Sequence, residues 1–177
     1  NGIQPDALFS PVFYSSPGNE RHAANGNPGP AYWQNRSDSH IQAVLDTTLN
    51  TITASVQITY TNNSPDALDY LWLQLDQQIY RPDARSRFGS PFFSTDHTDG
   101  YTLESVAIQR GSVKEKAEYL VSDTRLQIRL PHALAPKGGR IDLFIGYHYA
   151  IPGAFGGRTD YYQTKNGKVY EIAQWYP

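Results

Sequence analysis

The sequence predicts an all-β fold: an antiparallel β-sandwich of roughly eight or nine strands with little helix. Three observations carry this reading. Apolar residues recur at every second position over long runs, clusters of Asn, Gly, Pro and Ser separate those runs, and no segment shows a convincing helical period. Strands flip their side chains face by face, so a period of two buries one face and wets the other. Aromatic residues make up 13% of the chain, thirteen of them tyrosine, and such residues suit a half-buried pleated surface.

Residues 1–38 read as an irregular N-terminal arm, because Ser16-Pro17-Gly18-Asn19 and Asn25-Gly26-Asn27-Pro28-Gly29-Pro30 break both helix and ladder. Phe9, Phe13, Tyr14, Tyr32 and Trp33 are the aromatics that would pin this arm to a neighbour. The β-sandwich domain is assigned to residues 39–177. Its first strand carries Ile41, Ala43 and Leu45 on one face, with Gln42 and Asp46 on the other. The clearest strand is 51–62, where Ile52, Ala54, Val56, Ile58 and Tyr60 alternate with Thr and polar residues. Asn62-Asn63-Ser64-Pro65-Asp66 ends it with turn chemistry.

Residues 68–78 place Leu71, Leu73 and Leu75 on one face and Tyr70 and Trp72 on the other. Apolar bulk on both faces predicts a central strand, or one covered on both sides. Residues 79–100 read as a long loop of the kind that is often functional or docked on a partner. Strands follow at 101–109 and 115–121, then at 125–130, where Leu126, Ile128 and Leu130 alternate with Arg and Gln. After the turn Pro136-Lys137-Gly138-Gly139 comes a long run through Ile141, Leu143, Ile145, Tyr147 and Tyr149. The Gly-rich segment 153–157 lets a strand turn a corner. Residues 159–164 and 168–175 flank Lys165-Asn166-Gly167, a hairpin signal that predicts a type I′ turn.

The 177-residue length suits one domain that buries roughly 70% of the surface its unfolded chain exposes. There is no cysteine, which excludes disulfides, thiolate metal sites and cysteine nucleophiles. A net charge of −2 gives no attraction for polyanions, so no nucleic acid partner is expected. No apolar run approaches the roughly 20 residues of a membrane span, so none is expected.

The five histidines, His22, His40, His97, His132 and His148, lack His-Glu-x-x-His spacing, so no catalytic zinc site is expected in this chain. Asp96-His97-Thr98-Asp99 gathers oxygen and nitrogen donors without the spacing of a calcium loop, and a solvated loop tip is the plainer reading. No nucleophile elbow occurs. Asn35-Arg36-Ser37 and Asn62-Asn63-Ser64 match glycosylation acceptors. The end, Gln174-Trp175-Tyr176-Pro177, follows a completed strand and reads as a cut at a domain boundary.

Tyr32-Trp33-Gln34 and the stretch 39–78 resemble the opening of the aminopeptidase N family of zinc metallopeptidases, the gluzincins. That family begins with an x-Y-x-x-x-L-D strand, then I-x-G-x-x-x-I-x-Y-x-N, then L-x-x-L-x-L-x-L, and here Ala54 stands where glycine is common. Residues 151–177 resemble the closing hairpin of the same domain. The resemblance covers about residues 32–177 and implies a saddle-shaped, non-catalytic β-domain. It implies zinc and the His-Glu-x-x-His motif in a downstream catalytic domain of the same polypeptide, which would hydrolyse the first peptide bond of a peptide substrate bound at the domain interface. It also implies substrate-binding residues at Gln174 and Tyr176, with Tyr176 standing where an acidic or amide side chain often holds the free amine. The alternative is a carbohydrate- or surface-binding sandwich, which predicts exposed Trp or Tyr rings in one plane.

Overall fold

The computed structural model describes residues 18–88, 96–153 and 157–177. Phe9, Phe13 and Tyr14 of the arm, the middle of the 79–100 loop and the centre of the Gly-rich segment lie outside the described residues. The chain divides into two compact units, Asn1–Gln34 and Asn35–Pro177. In the first, Asn19 Oδ1 accepts from the backbone N–H groups of Arg21 and His22, and a single β-bridge joins His22 to Pro28.

The second unit is all-β and antiparallel among its described residues. It contains β1 (Arg36–Asp46), β2 (Thr51–Asn62), β3 (Leu68–Gln74), β4 (Thr102–Arg110), β5 (Val113–Lys116), β6 (Glu118–Ser122), β7 (Arg125–Leu134), β8 (Gly139–Ala150), β9 (Thr159–Thr164) and β10 (Gly167–Ile172). Five strands form a sheet in the order β1-β2-β8-β4-β5, three form a second in the order β3-β7-β6, and β9 and β10 make a two-stranded ribbon. The two larger sheets share one core. Val56 and Ile58 of β2, Leu143 and Ile145 of β8, and Leu126 and Ile128 of β7 are all buried in it. The inward positions of β2, β7 and β8 are those the alternation marks, because one side of each strand must leave water. No helix among the described residues is long and apolar enough to cross a membrane.

Several local expectations are corrected. Tyr70 and Trp72 are not covered: β3 is an edge strand, its two aromatics are 49% and 50% exposed, and their rings meet edge to face. Only the leucine face of β3 meets the core. The strand ends at Gln74, and a 3-10 turn, Asp76–Tyr80, takes over from the expected extension to residue 78. A second short 3-10 turn, Arg85–Arg87, occupies part of the expected loop. The strand expected at 115–121 is two strands in different sheets. β5 pairs with β4 and β6 with β7, and buried Ala117 between them donates its N–H to Val106 O at 2.9 Å. A small residue lets the chain bend through the core edge without leaving an amide unpaired. The β9–β10 hairpin forms, but of the two positions expected to have positive φ only Gly167 (φ 131°) does, and Asn166 does not. The two residues between the paired Thr164 and Gly167 are therefore Lys165-Asn166, and the turn is not type I′.

Asn62 is fully buried, which removes it as a glycosylation acceptor. Its Nδ2 donates to Asp66 O, Ala135 O and Leu134 O, and its Oδ1 accepts from Ser64 N and Oγ. Those bonds stitch together the two corners where the chain crosses between sheets, β2 to β3 and β7 to β8.

Candidate functional site

The C-terminal segment 173–177 follows β10, and its backbone is held by side chains from far away in the chain. Thr159 Oγ1 donates to Ala173 O at 2.9 Å. Gln77 Nε2 donates to Ala173 O at 3.3 Å and to Gln174 O at 3.1 Å. The Tyr101 hydroxyl donates to Gln174 O at 3.2 Å, and the Tyr147 hydroxyl to Trp175 O at 3.3 Å. Four buried side chains thus pin three successive carbonyls. Gln77 is supplied by the 3-10 turn after β3, Tyr101 by the residue before β4, Tyr147 by β8 and Thr159 by the start of β9.

These donors sit in a tyrosine cluster. Tyr101 packs edge to face on both Tyr147 and Tyr149, with ring centroids 5.3 and 5.2 Å apart. Burial, reinforced by the neighbouring phenols, pushes the hydroxyls of Tyr101 and Tyr149 well above the usual tyrosine range, and burial does the same for Tyr147. They therefore remain neutral at any physiological pH, and the hydroxyls of Tyr101 and Tyr147 keep the protons they donate to the C-terminal carbonyls. Gly100 (φ 66°) precedes Tyr101 and lies against the Gln78 side-chain oxygen, where a Cβ would collide. Among the described residues, Gln77 and Gln78 each keep a buried side-chain oxygen without a hydrogen-bond partner.

Gln174 has φ 53°, a left-handed backbone that non-glycine residues rarely adopt. Its carbonyl is fixed by Gln77 and Tyr101, while the residue itself is exposed. Tyr176 is 44% exposed and packs edge to face on Trp175. With Pro177 it closes one end of a groove of about 410 Å³ between the two sheets. The groove is lined by Ile58, Tyr60 and Leu143 of the large sheet and by Leu71, Trp72 and Leu73 of the small one. Both sequence-marked residues thus lie on one pinned segment, Gln174 presented to solvent and Tyr176 at the groove.

The pinning residues themselves were not marked by the sequence. Gln77 is 97 positions from Gln174 and Tyr101 is 73, so no local pattern connects them. The one trace is the polar pair Gln77-Gln78, two positions after the alternating Leu71, Leu73 and Leu75. At the Asp96-His97-Thr98-Asp99 loop, Arg87 donates to Asp96 O at 3.0 Å, and Thr98 N donates to Tyr80 O at 3.1 Å. Among the described residues no three His, Asp or Glu side chains converge into a group with the donor set of a metal site. Asn35 is occupied structurally: its Nδ2 donates to the Tyr60 hydroxyl and its Oδ1 accepts from Asn63 N. No protein-family model matches this chain, and no curated protein matches it.

Proposed function

We propose that this chain is the N-terminal, non-catalytic domain of a zinc aminopeptidase, packing on a catalytic domain of the same polypeptide and helping to shape the first substrate pocket. The observation that carries the reading is Gln174. A non-glycine residue held at φ 53° costs roughly 1 kcal/mol and persists here because buried donors over-determine its carbonyl. Such local strain on a rigid frame is characteristic of residues that present a side chain to a ligand. The Gln174 amide oxygen and the Tyr176 phenol oxygen are acceptors, suited to the ammonium of a peptide's free amino terminus. The likeness of residues 32–177 to the gluzincin opening domain supports the same assignment. The reading puts the metal and the peptide-bond chemistry in the following domain.

The carbohydrate-binding alternative has weaker support. Tyr70 and Trp72 are exposed, but their rings are 83° apart and form no flat platform for a sugar.

The test is Gln174→Gly in the full-length polypeptide. Glycine accepts φ 53° freely, so the variant gains up to about 1 kcal/mol of stability. At the same time KM for an amino-acid amide rises about tenfold, the loss of about 1.4 kcal/mol expected for a hydrogen bond to a charged amine. Unchanged kinetics in a stabilised variant, or metal-dependent aminopeptidase activity in the 177-residue chain alone, would overturn the reading.

A further inference from the structure

The four edges of the two larger sheets are not alike. β1 carries Arg36, Asp38, His40 and Asp46, and β5 carries Lys114, Glu115 and Lys116, whereas β6 has one charged residue, Glu118, and differs from β3 in the recesses beside it rather than in charge. Charged residues of this kind discourage another strand from pairing with an edge. β3 has one bulge, between Leu68 and Tyr70, and from Tyr70 to Leu73 it is wholly apolar. Its one charged residue is Asp69, and it contains neither lysine nor proline. Among the described residues, no backbone hydrogen bond outside the β3–β7 ladder reaches Leu68–Gln74. Among the described residues, one side of this strand therefore keeps its amides and carbonyls without backbone partners.

Two recesses adjoin β3, and Trp72 lines both. The first is the groove of about 410 Å³ between the sheets, with an apolar floor formed by Ile58, Leu71 and Leu143. A strand laid along β3 would point every second side chain toward that groove. The second recess, about 420 Å³, is lined by Trp72, Arg85, Ser122, Asp123, Thr124 and Arg125. Among the described residues neither the Arg85 nor the Arg125 guanidinium has an ion-pair partner. One oxygen of Asp123 accepts from the backbone N–H of Arg85 at 3.1 Å. Two guanidiniums beside an exposed indole favour a carboxylate over a cation.

We infer that the free edge of β3 receives an extended segment of another protein, which adds as a fourth strand to the small sheet. Alternate aliphatic side chains of the segment fill the groove between the sheets, and an aspartate or glutamate side chain meets Arg85 and Arg125. Main-chain hydrogen bonds give such a complex its affinity, and the groove and the arginines give it selectivity. The inference does not rest on the aminopeptidase assignment, since it uses only the edge, the groove and the two arginines.

The probe is a blocked peptide alternating valine and threonine and ending in two glutamates. β3 spans about 23 Å, the length of about seven extended residues. Binding of the labelled peptide to the 177-residue chain is read by fluorescence anisotropy. Saturable binding is expected. N-methylation of one alternating set of peptide nitrogens should weaken it at least tenfold, and methylation of the complementary set should not, because only one set faces β3. Lysines in place of the glutamates should weaken it at least tenfold, and Arg125→Glu should reverse that preference. Arg125 is exposed, and the peptide comparisons use the unaltered chain, so misfolding does not obscure the outcome. Absence of saturable binding, equal binding of all the peptides, or self-association of the chain through β3 seen by sedimentation would overturn the inference.

Discussion

Replacing Gln77 tests whether its amide truly holds the C-terminal segment. Gln77 is 1% exposed, and its Nε2 serves Ala173 O and Gln174 O while its Oε1 has no partner among the described residues. In Gln77→Leu two hydrogen bonds disappear, a loss of about 2 kcal/mol at about 1 kcal/mol each. Each carbonyl keeps a second donor, Thr159 for Ala173 and Tyr101 for Gln174. The buried unpaired oxygen also goes, and that relief is worth about 1–3 kcal/mol. The net change is small, within about 1 kcal/mol of wild type. Gln77→Glu behaves differently, because a carboxylate there faces two carbonyl oxygens with no donor to offer. An uncompensated buried charge costs about 3–5 kcal/mol. Burial and the carbonyls raise the folded pKa of the new carboxyl above its unfolded value of about 4.3. The unfolded chain then releases its proton first as pH rises, so stability falls with pH through that window. Urea unfolding followed by tryptophan fluorescence should show Gln77→Glu close to Gln77→Leu near pH 4, and about 3–5 kcal/mol below it at pH 7. If the two variants track each other across that range, the amide is not lodged among buried carbonyls and the account of how Gln174 is held is wrong.

Two further outcomes follow from buried polar groups. Asn62→Ala removes a side chain that donates to Asp66 O at 2.8 Å, Ala135 O at 3.0 Å and Leu134 O at 3.3 Å, and it should destabilise the domain by about 3–5 kcal/mol. A loss under about 1 kcal/mol in urea titration would contradict the stitched-corner account. Tyr101, Tyr147 and Tyr149 have folded pKa values raised above the ordinary 10.0, by burial first. The unfolded chain loses these phenol protons from about pH 10 while the folded chain keeps them, so their contribution is full below that pH and declines above it. The expected slope is about 1.4 kcal/mol per pH unit for each tyrosine, and a Tm that stays flat from about pH 9 to about pH 11 would refute it.

Much of the frame is legible in the sequence. The inward residues of β2, β7 and β8 are those that alternation picks out, since a two-residue period says directly which side chains share a face. The hairpin at Lys165-Asn166-Gly167 was legible as well, but its geometry was not, because Gly167 has the expected positive φ while Asn166 does not, and Gly167 itself pairs with Thr164. For Tyr70 and Trp72, composition misled. A strand apolar on both faces reads as covered, yet β3 lies at a sheet edge with both rings exposed.

Sequence alone determined that this chain forms antiparallel strands, and which face of its longest ones leaves water, because side-chain alternation is a local property of extended backbone. The resemblance to the gluzincin opening domain, and no local pattern, is what pointed to Gln174 and Tyr176. Only the tertiary structure decided how ten strands divide among the sheets, that Ala117 carries the chain from one sheet to another, and that β3 was left as an unprotected edge. It also decided the left-handed backbone of Gln174, through Gln77 and Tyr101. Pairing and pinning of this kind join residues scores of positions apart, and a period of two fixes the face a side chain points to without naming the partner it meets.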